Sequence, residues 1–69
     1  MKYAVLFEKT GTGYSAHVPD LPGCVAAGST FEETMDLIRG AIRMHLAGML
    51  EDGDPIPEPT TIAEYVVAA

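Results

Sequence analysis

Three side chains in this sequence carry the kind of chemistry that catalysis or metal binding uses: His17, Cys24 and His45. A thiol beside an imidazole is the minimum of a nucleophile and its base. The same three residues offer nitrogen and sulfur donors to a metal. Spacing supports neither reading. The residues are isolated from one another, so only the fold could bring them together, and no third group that would orient His17 as a base can be named. The simpler reading is a small buried thiol on one strand and, on the strand before it, a histidine facing solvent or a neighbouring carbonyl. Arg39 and Arg43 lie one helical turn apart and are better explained as compensating the acids around them than as a phosphate site.

Composition narrows the classes further. The 69 residues carry a formal charge of −6, with a pI near 4.5, and the only lysines and arginines are Lys2, Lys9, Arg39 and Arg43. Binding a duplex rewards cations at phosphates, so nucleic acid is not expected as a direct ligand. An acidic surface steers basic partners instead, including proteins that themselves bind nucleic acid. The length allows one domain, residues 1–69, with no room for a second. Chains below roughly 70–80 residues seldom draw more than about 3–5 kcal/mol from a single core and lean on disulfides, metals or association. A lone Cys24 excludes an internal disulfide, and no cluster has structural zinc spacing, so no metal or cofactor is expected. Association remains, and a homo-oligomer is expected. No signal core and no run near the roughly 20 apolar residues of a membrane span is visible, which makes the cytoplasm the default location and no membrane partner the expectation.

The elements that would position these residues follow from period and punctuation. Lys2 to Lys9 alternates, with Tyr3, Val5 and Phe7 on one face and Ala4 and Leu6 on the other, so both faces are largely apolar. Thr10-Gly11-Thr12-Gly13 is a hairpin turn in which the glycines are expected at positive φ. Tyr14 to Val18 is the second strand. Pro19-Asp20-Leu21-Pro22-Gly23 interrupts pairing, with Pro22-Gly23 suited to the middle of a type II turn. Cys24 to Ala27 is a third, short strand.

A helix then starts at Thr30, with Glu33 completing a capping box, or one residue earlier with the pair Ser29 and Glu32, and stops at Gly53. Its apolar stripe runs through Phe31, Met35, Ile38, Ile42, His45 or Leu46, and Met49, widened by Leu37, Ala41 and Met44. Asp54-Pro55-Ile56-Pro57-Glu58-Pro59 reads as a stiff crossover rather than a polyproline ligand, because it lies between two packed elements. Thr61 to Val67 is read as a fourth strand, with Ile62 and Val66 on one face. The predicted architecture is α+β, in the order β-β-β-α-β. A right-handed crossover would lay strand four parallel to strand one in a mixed four-stranded sheet of order 3-2-1-4. One helix covers one face of such a sheet; the apolar residues on the other face call for a second subunit.

Particular residues add a resemblance. Tyr14-Ser15-Ala16-His17-Val18-Pro19-Asp20-Leu21-Pro22-Gly23-Cys24 resembles the HicB-like antitoxin family. The likeness continues through Gly28-Ser29-Thr30-Phe31-Glu32-Glu33, Ala41-Ile42 and His45-Leu46 to Gly53-Asp54-Pro55-Ile56-Pro57-Glu58-Pro59. The block from Val18 to Cys24 is the most specific, since no generic strand or turn rule demands so many particular residues. The resemblance implies a partial ribonuclease-H-like fold and a protein that neutralises a small, basic, RNA-cleaving toxin of the HicA type. Many members of the family carry a DNA-binding segment after this domain. The sequence reaches Ala69 directly after the last expected strand, so a minimal form without that segment is expected here, the alternative being a solitary oligomeric scaffold or ligand-binding domain with no toxin.

A ribonuclease-H-like fold invites a search for metal-holding carboxylates. The centre of strand one, where an aspartate would be wanted, is Tyr3-Ala4-Val5-Leu6-Phe7, and most acids lie on the helix surface or in the Pro-rich segment. The expectation is therefore a binding protein, not an enzyme. Candidate partner-contacting residues are Asp20, Leu21 and Pro22 of the loop and Met49 at the helix end, where methionine suits an adaptable surface. For Leu21 two readings stand: an exposed anchor, or a side chain tucked under the sheet edge, the latter preferred because the loop's components have clear backbone roles.

Overall fold

The computed structural model describes residues 1–69. Three short strands, β1 (Leu6–Lys9), β2 (Tyr14–His17) and β3 (Val25–Gly28), precede one helix, α1 (Phe31–Asp52). The strands form an antiparallel meander of order β1-β2-β3. Leu6 faces His17, which in turn faces Val25, and Phe7 faces Ala16, which faces Ala26. Directly opposed residues share a face, so Phe7, Ala16 and Ala26 point one way and Leu6, His17 and Val25 the other.

The turns that set this register differ in chemistry. Neither Gly11 nor Gly13 lies at positive φ. The loop has four residues, Thr10–Gly13, and a loop of that length is commonly built without positive φ. The Thr10 hydroxyl oxygen accepts from the Gly13 amide at 3.0 Å, and the Thr10 amide donates to the Gly13 carbonyl at 2.8 Å. Gly13 is needed for close approach instead: a Cβ there would collide with the Gly28 carbonyl across the sheet. The Pro22-Gly23 turn forms as expected, with Gly23 at φ 85° and the Cys24 amide donating to the Leu21 carbonyl at 3.0 Å.

β1 is shorter than the alternation suggests. In the observed register, Tyr3 to Val5 would run past the end of β2 into Pro19 and the turn after it, where no ladder is available. Tyr3 and Val5 nonetheless pack against the core on the same side as Phe7, so the alternation foretold the face correctly.

α1 is defined at both ends. The Thr30 hydroxyl accepts from the Glu33 amide at 3.0 Å, while the Glu33 carboxylate reaches back one residue further than a standard box, to the Ser29 amide at 2.6 Å. Gly53, at φ 73°, closes the helix: its amide donates to Leu50 O and that of Asp54 to Met49 O, the Schellman pattern. The helix lies over β2 and β3. Its inner face sets Ile38 and Thr34 against Ala16, Val18, Leu21 and Cys24, with Met35, Ala41, Ile42 and Leu46 around them. Buried Thr34 is satisfied within the helix by its bond to the Thr30 carbonyl at 2.7 Å. Leu37 and Met44, expected to widen the stripe, are exposed instead. They lie seven residues apart on a flank that the narrow sheet does not reach.

The fourth strand is absent, and with it the mixed 3-2-1-4 sheet: the segment from Thr60 onward has no regular structure. Ile62, Val66 and Val67 are 86%, 86% and 89% exposed, and Tyr65 is wholly so. β-propensity measures fit to a half-buried pleated surface, and the segment passes the edge of β1 without a hydrogen bond to it. The radius of gyration, 13.3 Å, exceeds the roughly 11 Å of a compact domain of this length, as a projecting segment requires.

With Ile38 fully buried at the centre of the helix–sheet contact, Ile38→Ala should cost about 2–5 kcal/mol. For so small a core that approaches the whole stability. Urea unfolding followed by circular dichroism should show the midpoint collapse, whereas Leu37→Ala on the exposed flank should leave it nearly unchanged.

Candidate functional site

The Pro19–Gly23 loop is built from two consecutive turns. The Leu21 amide donates to Val18 O and the Cys24 amide to Leu21 O, while the Val18 amide closes the loop on Cys24 O at 3.1 Å. This path sends Leu21 inward, where it is fully buried in the core, so the tucked reading of that residue holds. Pro22 and Gly23 remain exposed at the tip.

Asp20 points the other way and takes four hydrogen bonds from a segment forty residues distant. The Thr60 and Thr61 amides donate to Oδ2 at 2.9 and 3.0 Å, and the Thr60 and Thr61 hydroxyls donate to Oδ1 at 3.1 and 2.8 Å. These bonds, led by those from Thr61, favour the ionised form and hold the carboxyl below its ordinary value. A second tie lies close by in sequence: the Tyr3 hydroxyl donates to the Pro57 carbonyl at 2.5 Å. The stretch after the helix is thus bound to the body at Pro57 and again at Thr60–Thr61. No periodicity marks either tie; an aspartate in a Pro-rich turn and two threonines far downstream are unremarkable apart.

Beyond the clamp, the chain passes an open groove of about 600 Å³. Val5, Leu6, Phe7 and Glu8 line it, with Phe31 at the helix start and Ala63 to Tyr65 of the last segment. Phe31 belongs to an aromatic cluster, its ring centroid 4.6 Å from that of Phe7 and 6.1 Å from that of Tyr14, the latter edge-on. The uncovered face of the sheet, which the groove reaches at Leu6, Glu8 and His17, presents Leu6, His17 and Val25 in one row and Glu8, Ser15 and Ala27 in the next. Val25 is 63% exposed there.

The chemistry-bearing residues do not converge. His17 is exposed on the uncovered face, whereas Cys24 is buried in the core beneath the helix, where desolvation pushes its thiol above the ordinary value. His45 is half-buried on α1. No three His, Cys, Asp or Glu side chains come together in a way that could hold a metal ion. Arg39 sits 3.8 Å from Asp36 in an exposed pair, the compensating role expected of it, of little energetic consequence. Met49 is half-buried near the helix end, close in sequence to the exposed Leu50. No helix is long and apolar enough to cross a membrane.

Comparison with known proteins points one way. Residues 3–69 match the profile of a family described as the HicB-like antitoxin of bacterial toxin-antitoxin systems. An uncharacterised 14.9 kDa protein of Haemophilus phage HP1 is 42% identical over 66 residues, which cover 96% of this chain and 50% of that one. Antitoxin HicB 2 of Photorhabdus laumondii is 34% identical over 67 residues, covering 97% and 48%. The chain therefore spans about half the length of each of these two relatives. Among solved structures, a chain of a HicA3 and HicB3 toxin-antitoxin complex is similar with a TM-score of 0.74 and 30% identity, over 87% of this chain and 70% of that one.

Because the folded Asp20 carboxyl titrates below an unfolded one, its clamp is complete above the ordinary aspartate range and is lost as pH falls through the lowered value. An NMR titration should show the Thr60 and Thr61 amides shifting with that low midpoint. Asp20→Ala should strip hydrogen-exchange protection from both amides and leave β2 and β3 protected; unchanged protection of the threonines would mean that the clamp does not hold the segment.

Proposed function

The chain belongs to the HicB-like antitoxin family, and we propose that it neutralises a small, basic, RNA-cleaving toxin of the HicA type by forming a stable complex with it. The observation that carries this reading is the likeness, over 87% of the chain, to a component of a toxin-antitoxin complex. The physical character of the chain agrees. Its net charge of −6 is opposite to that of a basic partner, and opposite charges raise the encounter rate and select the partner more than they deepen affinity. The exposed apolar residues supply area to bury. No bond is made or broken by this chain; the toxin's RNA site is blocked by occupancy.

The contact we propose takes in Pro22 at the loop tip, the neighbouring Asp20 with its carboxylate still held by Thr60 and Thr61, and Met49 at the helix end. Leu21 serves it from beneath, holding the loop in shape through the core. Two turns closed by three backbone hydrogen bonds give a surface that is preformed, which reduces the ordering cost of binding.

The test is co-expression with a HicA-type toxin. The expected result is relief of toxin-induced growth arrest, co-purification of the two chains, and inhibition of RNA cleavage by a stoichiometric amount of this protein. Absence of both complex and relief overturns the reading. Reversing one exposed helix charge, Asp36→Lys, should slow association several-fold at low salt, with little change in dissociation, and the difference should shrink as salt is raised.

A further inference from the structure

α1 lies over β2 and β3, and one line along its flank carries large apolar side chains that the fold leaves in solvent. Glu33, Leu37, Gly40, Met44, Gly48 and Glu51 follow one another at intervals of three or four residues, so they form a single stripe on the helix. Leu37 is 48% exposed and Met44 77%. A Cβ added at Gly40 or Gly48 would meet no atom within 4 Å, so packing inside this chain requires neither glycine. Glycine in a helix interior is unfavourable relative to other residues. Here two glycines alternate with two large apolar side chains, which leaves gaps between projections along about 27 Å of helix.

We propose that this stripe receives a helix of a basic partner, one whose own apolar row is flanked by lysine or arginine. Charge selects that occupant. Glu33 and Glu51 stand at the two ends of the stripe, and no lysine or arginine lies on it. Arg39 and Arg43 are about a quarter turn or more away around the helix, Arg39 beside Asp36. The Glu33 carboxylate keeps its charge while it accepts from the Ser29 amide. A second copy of this chain is the wrong occupant. Pairing two such stripes sets glutamate against glutamate at both ends in either orientation, and each copy carries −6 overall. Leu37 and Met44 enter between side chains of the incoming helix, while the glycines let its backbone approach closely.

This inference rests on the antitoxin reading, in which the incoming helix belongs to the toxin. The stripe adjoins the contact already proposed. The Glu33 and Thr34 side chains crowd Gly28 of β3, and the Pro19–Gly23 loop leads into that same strand. One partner therefore spans the loop tip and the flank of the helix.

Isothermal titration of the full chain with a HicA-type toxin tests this. Met44→Lys places a cation in the middle of the stripe, and Gly40→Gln combined with Gly48→Gln fills both gaps. Each change should weaken toxin binding about tenfold or more. The glycine variant should also raise the thermal midpoint of the free chain, because glutamine is the better helix former; a loss of binding is then not a loss of fold. In wild type, the Leu37 and Met44 methyl signals should shift on addition of toxin, a readout free of mutation. Binding that survives both variants overturns this inference and leaves the antitoxin reading standing, whereas a wild type that binds no toxin overturns both. Self-association abolished by Met44→Lys, with toxin binding intact, assigns the stripe to a second copy and overturns the proposal.

Discussion

Ile38 is the point on which the helix and the sheet meet. Ala16, Val18, Leu21 and Cys24 close around it, and these five residues are the whole buried apolar core. A helix of 22 residues is about 33 Å long, whereas four-residue strands reach only about 13 Å. The sheet can therefore seat only part of the helix. Leu50 stays in solvent near its far end, while Leu37 and Met44 are exposed on a flank that the narrow sheet does not reach. The same constraint leaves the other face of the sheet bare, since one helix cannot cover two faces.

The Pro19–Gly23 loop distributes its residues in two directions from one tight path. Leu21 goes down into the core beneath Ile38, and Asp20 goes out to Thr60 and Thr61. A single loop thus finishes the core, ends β2 and ties down the chain beyond the helix. Those several roles explain why this stretch carries so many particular residues. They also fix the loop's path through backbone hydrogen bonds and a buried side chain. The sites that looked reactive in isolation have ordinary places: Cys24 fills the core and His17 stands on the uncovered face.

What the sequence determined by itself was local. Turn residues, caps and the 3.6-residue stripe specified the hairpin, the Pro22-Gly23 turn and both ends of the helix, because each depends on interactions within a few residues. The Val18–Cys24 block likewise carried the family through its particular residues. Only the tertiary structure decided the fate of Thr61–Val67 and of the first half of strand one. Alternation shows that a segment can be a strand, but pairing needs an edge within reach. The end of β2 at Pro19 removes one such edge, and the Asp20 clamp sets the last segment beside another without closing on it. That clamp, between residues forty apart in sequence, has no periodic signature; it exists because the folded loop and the chain after the Pro-rich crossover arrive at the same place.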